Sequence, residues 1–146
     1  MLTYDRAVRF EEVDAAGIVF FPVFLNYCHD ALAALFDPLE GGYVRLVMER
    51  RIGLPTVHVE ADYRAPLRYG DVARIQVSVL HMGSRSFSLG YSITRAADGL
   101  PVAEVKHVLA TTDLNAMRAV PIPSDIRALL VRLSSGAAPS GNAKVD

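Results

Sequence analysis

The sequence predicts an α+β fold in which one long helix packs against an antiparallel sheet of about five strands. Between Phe24 and Leu35, apolar residues recur at offsets of three and four, which is the stripe of an amphipathic helix. After residue 55 the apolar period falls to two, which is typical of half-buried strands. The breaks between these strand-like runs are rich in Gly, Pro, Asp and Ser, and such compositions predict turns.

The long helix is predicted to begin beside Pro22. N–H groups in the first turn of a helix have no partner within the helix, so proline, which has no N–H, loses no hydrogen bond there. Pro38 and the Gly41-Gly42 pair predict its end. The apolar stripe is continuous, which indicates a helix buried along most of its length. The stripe consists of Phe24, Tyr27, Cys28, Ala31, Leu32 and Leu35.

The strand signals divide most of the remaining chain. The last run is β-rich but mixed in pattern, as expected for a strand buried on both faces. After it, Ser124 is predicted to cap a short final helix. Residues 1–133 are therefore predicted to form a single domain, and residues 134–146 have the composition of a disordered tail. The predicted strands cover residues 2–9, 57–63, 75–79, 87–93 and 102–114.

Composition excludes several classes of function. The net charge of −1 gives no electrostatic support for binding nucleic acid or an anionic membrane. No stretch approaches the ~20 apolar residues that span a bilayer, and the N-terminus lacks the apolar core of a signal peptide. The single cysteine, Cys28, excludes an internal disulfide and fits a reducing cytoplasm. One sheet with one helix leaves an edge and an apolar face uncovered, so a homo-oligomer is expected.

The segment RFEEVDAAGIVFF, residues 9–21, carries the chemistry. Asp14 stands in an otherwise apolar stretch, and Gly17 predicts a tight turn directly before the helix start. Free N–H groups at a helix start could hold a thioester carbonyl and its developing oxyanion. A carboxylate just upstream could then attack that carbonyl or activate water. Taken from the residues alone, Asp14 could equally serve only to cap the turn.

The run D-A-A-G-I-V-F-F-P resembles the signature of the 4-hydroxybenzoyl-CoA thioesterase family, whose members have the hotdog fold. The resemblance continues in order through G-L-P-T-V-H-V-E-A-D-Y-R-A-P, Y-G-D, G-S-R-S-F and V-P-I-P, over residues 3–132. It implies a hotdog-fold hydrolase that releases the free acid and coenzyme A from an aromatic or medium-chain acyl-CoA. No cofactor is implied, because coenzyme A is part of the substrate. The dimers of this family commonly pair into tetramers.

The resemblance also assigns roles to residues. Asp14 matches the catalytic carboxylate, Gly17 the turn glycine, and Phe21 the position whose backbone N–H polarises the thioester carbonyl. Phe20, Phe24 and His29 are expected to line the acyl pocket. Arg85 falls where relatives place basic residues that meet the nucleotide phosphates, and Ser84 and Ser86 flank it as further coenzyme A contacts. Some relatives have a longer basic run where Gly83 and Ser84 stand here.

The remaining histidines, the cysteine and the nearby glutamates are not predicted to take part in catalysis. No two histidines have the spacing of zinc ligands, so no metal site is predicted. Cys28 lies within the apolar stripe and is interpreted as a small hydrophobic residue. Glu11 and Glu12 flank the Asp14 segment and are predicted to be solvated. His58 is predicted to face away from the core, whereas His81 and His107 are interpreted as structural or exposed.

Three alternative functions remain open from the sequence. A hotdog dehydratase would need a histidine working with the carboxylate, and the Asp14 loop supplies none. A non-catalytic acyl-CoA-binding module would keep the fold and the pocket but would tolerate the loss of Asp14. A thioesterase acting on a substrate bound to an acyl-carrier protein would need a basic collar at the pocket mouth, and the net charge neither supports nor excludes one.

Overall fold

An antiparallel sheet and a long helix account for most of the fold, which a computed structural model describes for residues 1–135. The chain begins with a strand, and a 3-10 turn leads from it into the segment before the helix. In chain order the elements are β1 (Leu2–Ala7), the 3-10 turn (Phe10–Glu12), α1 (Val23–Leu35), α2 (Gly42–Met48), β2 (Ile52–Gly53), β3 (Thr56–Tyr63), β4 (Val72–Met82), β5 (Ser86–Arg95), β6 (Pro101–Ala110), β7 (Thr112–Asp113), β8 (Arg118–Ala119) and α3 (Ser124–Ser134).

The main sheet has the strand order β1-β4-β5-β6-β3, and each neighbouring pair is antiparallel. The strands from β4 to β6 follow one another directly, whereas β1 and β3 are added at the two edges. Helix α1 packs against β1 and β4. The predicted α+β fold, with a five-stranded antiparallel sheet around one long helix, is therefore confirmed.

The core lies between α1 and the inner face of the sheet. The alternation predicted from the sequence places Ile75 and Val77 of β4, and Leu89 and Ile93 of β5, on that inner face, where all four are fully buried. From the helix, the predicted apolar stripe meets them and is itself buried from Phe24 to Leu35. Each such side chain contributes roughly 1.5–3 kcal/mol when it leaves water, so this layer is the main source of stability.

Strand β3 differs from the other strands because its apolar residues are not covered. Val57, Val59 and Tyr63 are 65%, 41% and 46% exposed, although their alternation predicts a buried face. The reason is that α1 packs mainly against β1 and β4, whereas β3 stands at the opposite edge of the sheet and is left largely uncovered within one chain.

Three details of the sequence prediction are wrong. Gly41 and Gly42 do not end α1, which already ends at Leu35; Gly41 takes a left-handed conformation as the N-cap of α2, and α2 begins at Gly42. The β-rich run at residues 102–114 is divided near Thr111 into β6 and the short β7, which pairs with β2 and β8 in a second small sheet. Ser124 is already helical, and the N-cap is Pro123, which makes no side-chain cap. The predicted tail lies outside the described residues, except that α3 continues to Ser134.

Candidate active site

The segment around Asp14 forms a tight hairpin-like loop between Val13 and Val19, which pair as an isolated antiparallel bridge. The Asp14 N–H donates to the Ile18 carbonyl at 2.9 Å, and the Gly17 N–H donates to the Asp14 carbonyl at 2.9 Å. Gly17 has a φ of +82°, which L side chains rarely adopt. A Cβ at Gly17 would meet nothing within 4 Å, so the backbone angle rather than a lack of space requires glycine here.

The Asp14 carboxylate is exposed, and one of its two oxygens supports the loop. Oδ1 accepts a hydrogen bond from the Ala16 N–H at 2.8 Å, which fixes the orientation of the side chain. Among residues 1–135 no other hydrogen bond reaches this carboxylate. Oδ2 is therefore available to a ligand or a water molecule while Oδ1 holds the turn.

The start of α1 offers a free backbone donor next to this loop. The Phe20 N–H donates to the Glu12 carbonyl at 3.0 Å, and Pro22, the N-cap of α1, has no N–H. Between them, the Phe21 N–H has no acceptor within the described part of the chain. It lies at the positive end of the helix dipole, where a donor stabilises a developing negative charge.

Aromatic side chains surround this free donor. The Tyr63 hydroxyl donates to the Phe21 carbonyl at 3.2 Å, and the Tyr63 ring meets the rings of Phe21 and Phe24 edge-on, with centroids 6.3 and 5.5 Å apart. Phe20 packs edge-on against Phe21 at 5.3 Å and is 50% exposed. The end of β3 thus holds the start of α1 in place, and the cluster leaves an apolar, partly open surface beside the donor.

A buried ion pair supports the loop from below, and it corrects the prediction that Glu12 is solvated. Glu12 is only 9% exposed, and its carboxylate accepts from Arg6 Nη2 at 2.6 Å, from the Arg9 N–H at 2.7 Å and from the Tyr27 hydroxyl at 3.0 Å. Arg6 also reaches Asp30 through Nε at 3.1 Å and lies over the Tyr27 ring. Because the Glu12 carbonyl also accepts the Phe20 N–H, this pair fixes both ends of the Asp14 loop.

Farther along α1, polar side chains line a small cavity that the sequence did not single out. His107 lies on the inner face of β6, where one ring nitrogen meets Thr56 Oγ1 at 2.8 Å and the other meets the Tyr91 hydroxyl at 3.1 Å. His107 is half-buried, and burial together with the charge of His29 lowers its pKa. The cavity has a volume of about 140 Å³ and is lined by Leu25, Cys28, His29, Thr56, Val59, Val105 and His107.

The signal for His107 was present in the sequence, because it alternates with Val105 and Leu109, which face the core. Because His107 is half-buried and hydrogen-bonded at both ring nitrogens, the structural interpretation holds and the exposed one does not. His29 lines this cavity and is exposed at its rim, whereas its place in an acyl pocket stays a prediction. Cys28 is buried beside it, and burial raises the pKa of its thiol, which disfavours the reactive thiolate.

The predicted coenzyme A contacts lie far from Asp14 within one chain. Ser84 and Arg85 lie in the turn between β4 and β5, and Ser86 begins β5; the Thr111 N–H donates to the Arg85 carbonyl at 2.8 Å. The Arg85 side chain is exposed, and within residues 1–135 it makes no hydrogen bond or ion pair. Because Ser86 pairs with Ala110, this turn lies where β3 begins, whereas the Asp14 loop lies where β3 ends.

The structure thus places Asp14 and Gly17 in the loop that leads into the cluster of Phe20, Phe21 and Phe24, and it leaves Arg85 at the opposite end of β3. The eight residues of β3 separate the two places by roughly 25 Å at ~3.3 Å per residue. Residues 1–135 contain no group of three or more His, Cys, Asp or Glu side chains placed to hold a metal ion. None of the helices in that part of the chain is long and apolar enough to cross a membrane.

Comparison with known proteins agrees with this geometry. Residues 8–130 match the Thioesterase-like superfamily. The chain is 32% identical to the 1,4-dihydroxy-2-naphthoyl-CoA hydrolase of Nostoc punctiforme over 109 residues, which cover 73% of this chain and 72% of the relative. The corresponding hydrolase of Synechococcus elongatus is 32% identical over 107 residues, covering 72% and 78%.

Solved structures show the same fold. A 1,4-dihydroxy-2-naphthoyl-CoA thioesterase from Synechocystis superposes with a TM-score of 0.82 at 25% identity, covering 90% of this chain and 96% of that one. A gentisyl-coenzyme A thioesterase superposes with a TM-score of 0.76 at 27% identity, covering 86% and 98%.

The chain therefore belongs to the Thioesterase-like superfamily and has its hotdog fold. Within that superfamily it is a thioester hydrolase, and the relatives named above act on aromatic acyl-CoA thioesters. The family, fold and enzyme class predicted from the sequence patterns and the family resemblance are confirmed.

Proposed function

We propose that this enzyme hydrolyses aromatic acyl-CoA thioesters in a site centred on Asp14 and the Phe21 N–H. The observation that carries the proposal is the pairing of a free helix-start donor with a carboxylate that has one unengaged oxygen. The thioester carbonyl oxygen would accept a hydrogen bond from the Phe21 N–H. This hydrogen bond would become stronger as negative charge develops on that oxygen. Gly17 would serve the site by setting the turn that aims Asp14.

Asp14 can complete the reaction by either of two routes. As a nucleophile, its oxygen attacks the carbonyl carbon, the C–S bond breaks, coenzyme A leaves as the thiolate, and water then cleaves the mixed anhydride. As a general base, it takes a proton from the water molecule that attacks the carbonyl carbon. Both routes consume one water and yield a free carboxylic acid and coenzyme A, so neither needs a metal or a further cofactor.

An aromatic acyl group fits the surroundings of the donor. The exposed rings of Phe20, Phe21 and Tyr63, with the Phe24 ring beneath them, offer the edges and faces against which an aromatic ring packs well. The relatives' aromatic substrates point in the same direction. A medium-length aliphatic group is the alternative that the experiment below distinguishes.

A second copy of the chain is proposed to complete the site. The open edge of β3 and its exposed Val57 and Val59 favour an antiparallel pairing of β3 with β3 of another copy. A two-fold axis through that pairing would place the partner's Arg85 turn beside the Asp14 loop of the first chain. Arg85, Ser84 and Ser86 would then hold the nucleotide phosphates of a substrate whose thioester lies on the other subunit.

The proposal also covers the assembly and the cellular location of the enzyme. The family resemblance extends the dimer to a tetramer. The single, buried Cys28 fits an enzyme of the reducing cytoplasm.

The experiment is the release of free thiol from a panel of benzoyl, hydroxybenzoyl, phenylacetyl, short aliphatic and long aliphatic acyl-CoAs. We expect kcat/KM to be highest for an aromatic thioester. A preference for aliphatic chains would contradict the aromatic assignment. No turnover of any acyl-CoA would contradict the proposed function, and turnover of the same acyl groups on an acyl-carrier protein would reassign the carrier.

A further inference from the structure

The turn between β4 and β5 has each of its three carbonyl groups held by another part of the chain. The Gly83 carbonyl accepts a hydrogen bond from Arg127 Nη2 of α3 at 2.7 Å. The Ser84 carbonyl accepts the Ile122 N–H at 2.9 Å, and the Arg85 carbonyl is held by the hydrogen bond from the end of β6 described above. Three separate segments therefore fix the backbone of this turn.

The same turn leaves two neighbouring backbone donors free. The N–H groups of Ser84 and Arg85 reach no acceptor within residues 1–135. In a planar trans peptide the C=O and the N–H point in opposite directions, and the described chain has no cis peptide bond. Because the Gly83 and Ser84 carbonyls face other segments, the N–H groups in the same two peptide planes face away from those segments. Both residues are exposed, so the two donors are open to a ligand.

The charges around this turn favour an anion. Successive free N–H groups in a turn form a concavity that binds anions. The guanidinium of Arg85 adds a positive charge, and it makes no hydrogen bond or ion pair in the described part of the chain. The turn itself contains no acidic residue, and Asp125, the acidic residue of α3, pairs with Arg50 at 2.7 Å. A phosphate group has the charge and the acceptor oxygens that this turn can bind.

Gly83 allows the turn to be this compact. Its N–H donates to the Ser86 carbonyl at 2.8 Å, which closes the turn. A Cβ at Gly83 would lie 3.3 Å from that same carbonyl oxygen, so a side chain would crowd the closing hydrogen bond. The turn therefore offers donors from its backbone at the place where some relatives have basic side chains.

We propose that the Ser84 and Arg85 N–H groups bind a phosphate of the nucleotide half of the substrate, and that Arg127 is the positioning residue that directs them. The inference rests on the proposed function, because it takes a coenzyme A thioester as the substrate. Arg127 Nη2 lies 2.7 Å from the Gly83 carbonyl oxygen and 3.4 Å from that of Ser84, so one nitrogen reaches both peptide groups. Without it, the peptide between Gly83 and Ser84 can rotate and the Ser84 N–H loses its direction.

The kinetic test uses two thioesters of one acyl group, one of coenzyme A and one of pantetheine, which lacks the nucleotide. Arg127→Met removes every side-chain donor, whereas Arg127→Lys keeps the charge and one donor group. We expect Arg127→Met to raise KM for the coenzyme A thioester by about tenfold with kcat unchanged, and to change either constant for the pantetheine thioester by less than about twofold. Arg127→Lys should recover most of the loss. Arg132→Met, at an exposed position of the same helix, is the matched control. An equal loss for both thioesters would contradict the inference.

Binding of adenosine 3′,5′-bisphosphate, a fragment of coenzyme A, tests the inference without hydrolysis. In a titration followed by nuclear magnetic resonance, the amide protons of Ser84 and Arg85 should shift downfield in the parent. The dissociation constant should rise by about tenfold in Arg127→Met. Those results would uphold the inference even if no thioester were hydrolysed.

Three outcomes would overturn the inference and leave thioester hydrolysis untouched. The bisphosphate could fail to bind the parent, or it could bind while the amide protons of Ser84 and Arg85 stay in place. The third is an Arg127→Met variant that binds the bisphosphate as tightly as the parent does.

Discussion

Two atoms near the start of α1 define the chemistry at the scale of single residues: the free Oδ2 of Asp14 and the free N–H of Phe21. Both are free for local reasons: the Ala16 N–H bonds only Oδ1 of Asp14, and the Phe21 N–H directly precedes the N-cap of α1, where no earlier turn supplies a carbonyl. Such short-range constraints are encoded within about ten residues of sequence, which is why the Asp14 segment could be interpreted as a site before its structure was known.

His107 leads to a prediction about acid stability. Its pKa is lowered by burial and by His29, so the folded chain binds a proton at His107 less readily than the unfolded chain, whose histidine has a pKa near ~6.5. The unfolded state then binds more protons, and the free energy of unfolding falls as the pH drops below about 6.5. We expect His107→Gln to flatten this fall.

The measurement is chemical denaturation between pH 7.5 and pH 5, followed by circular dichroism. The matched control is His81→Gln, which removes an exposed histidine. An unchanged pH dependence in His107→Gln, or the same flattening in the control, would contradict the prediction.

At the scale of elements, the sequence predicts what periodicity can express. Helix α1 and the five main strands could be predicted because each is long enough for its apolar spacing to repeat several times. Strands β2, β7 and β8 have only two residues each, so no period exists to detect. Helix α2 has seven residues and begins at a glycine with positive φ, a signal that more often ends a helix.

The buried Glu12 was missed for a different reason. A carboxylate is normally solvated, and only a partner from another element makes its burial favourable. That partner is Arg6, whose alternation with Leu2 and Tyr4 places it on the inner face of β1. The pairing depends on how β1 lies against the loop, which the sequence alone does not state.

This ion pair leads to a prediction for the loop. Glu12→Gln keeps the size of the side chain but removes the charge opposite Arg6, and breaking a buried pair in this way costs about 3 kcal/mol. We therefore expect a lower midpoint of urea unfolding and, because Glu12 also holds Arg9 and Tyr27, a slower enzyme. Glu11→Gln is the control, since Glu11 is exposed. Equal stability of Glu12→Gln and Glu11→Gln would show that the pair contributes nothing.

At the scale of the whole molecule, the predicted site residues fall into two groups. Asp14, Gly17, Phe20, Phe21 and Phe24 lie in one short segment, formed by the loop and the helix start that follows it. Arg85 could not be placed relative to them from the sequence, because its position depends on the order of the strands. The distance between the groups is the reason why the proposed site needs two copies of the chain.

The open edge of β3 therefore leads to a prediction about assembly. Val57 is 65% exposed in one chain, so Val57→Asp should cost that chain little, but the charge would be buried in a pairing of two β3 edges. We expect light scattering to show a smaller assembly for this variant than for the parent. Val131→Asp, at an exposed position of α3, is the control. An unchanged mass for Val57→Asp would place the subunit contact elsewhere.

The central claim is that the Asp14 carboxylate carries out thioester hydrolysis, and its most direct test is kcat/KM for the best aromatic acyl-CoA in the parent and in Asp14→Asn. Asparagine keeps an Oδ1 to accept the Ala16 N–H, so the loop should hold its shape while the carboxylate is lost. We predict a loss of ~10²-fold or more, the scale of removing a positioned acid–base group, with unchanged circular dichroism and mass. A folded Asp14→Asn variant with the activity of the parent would contradict the claim and leave Asp14 as a residue of the turn.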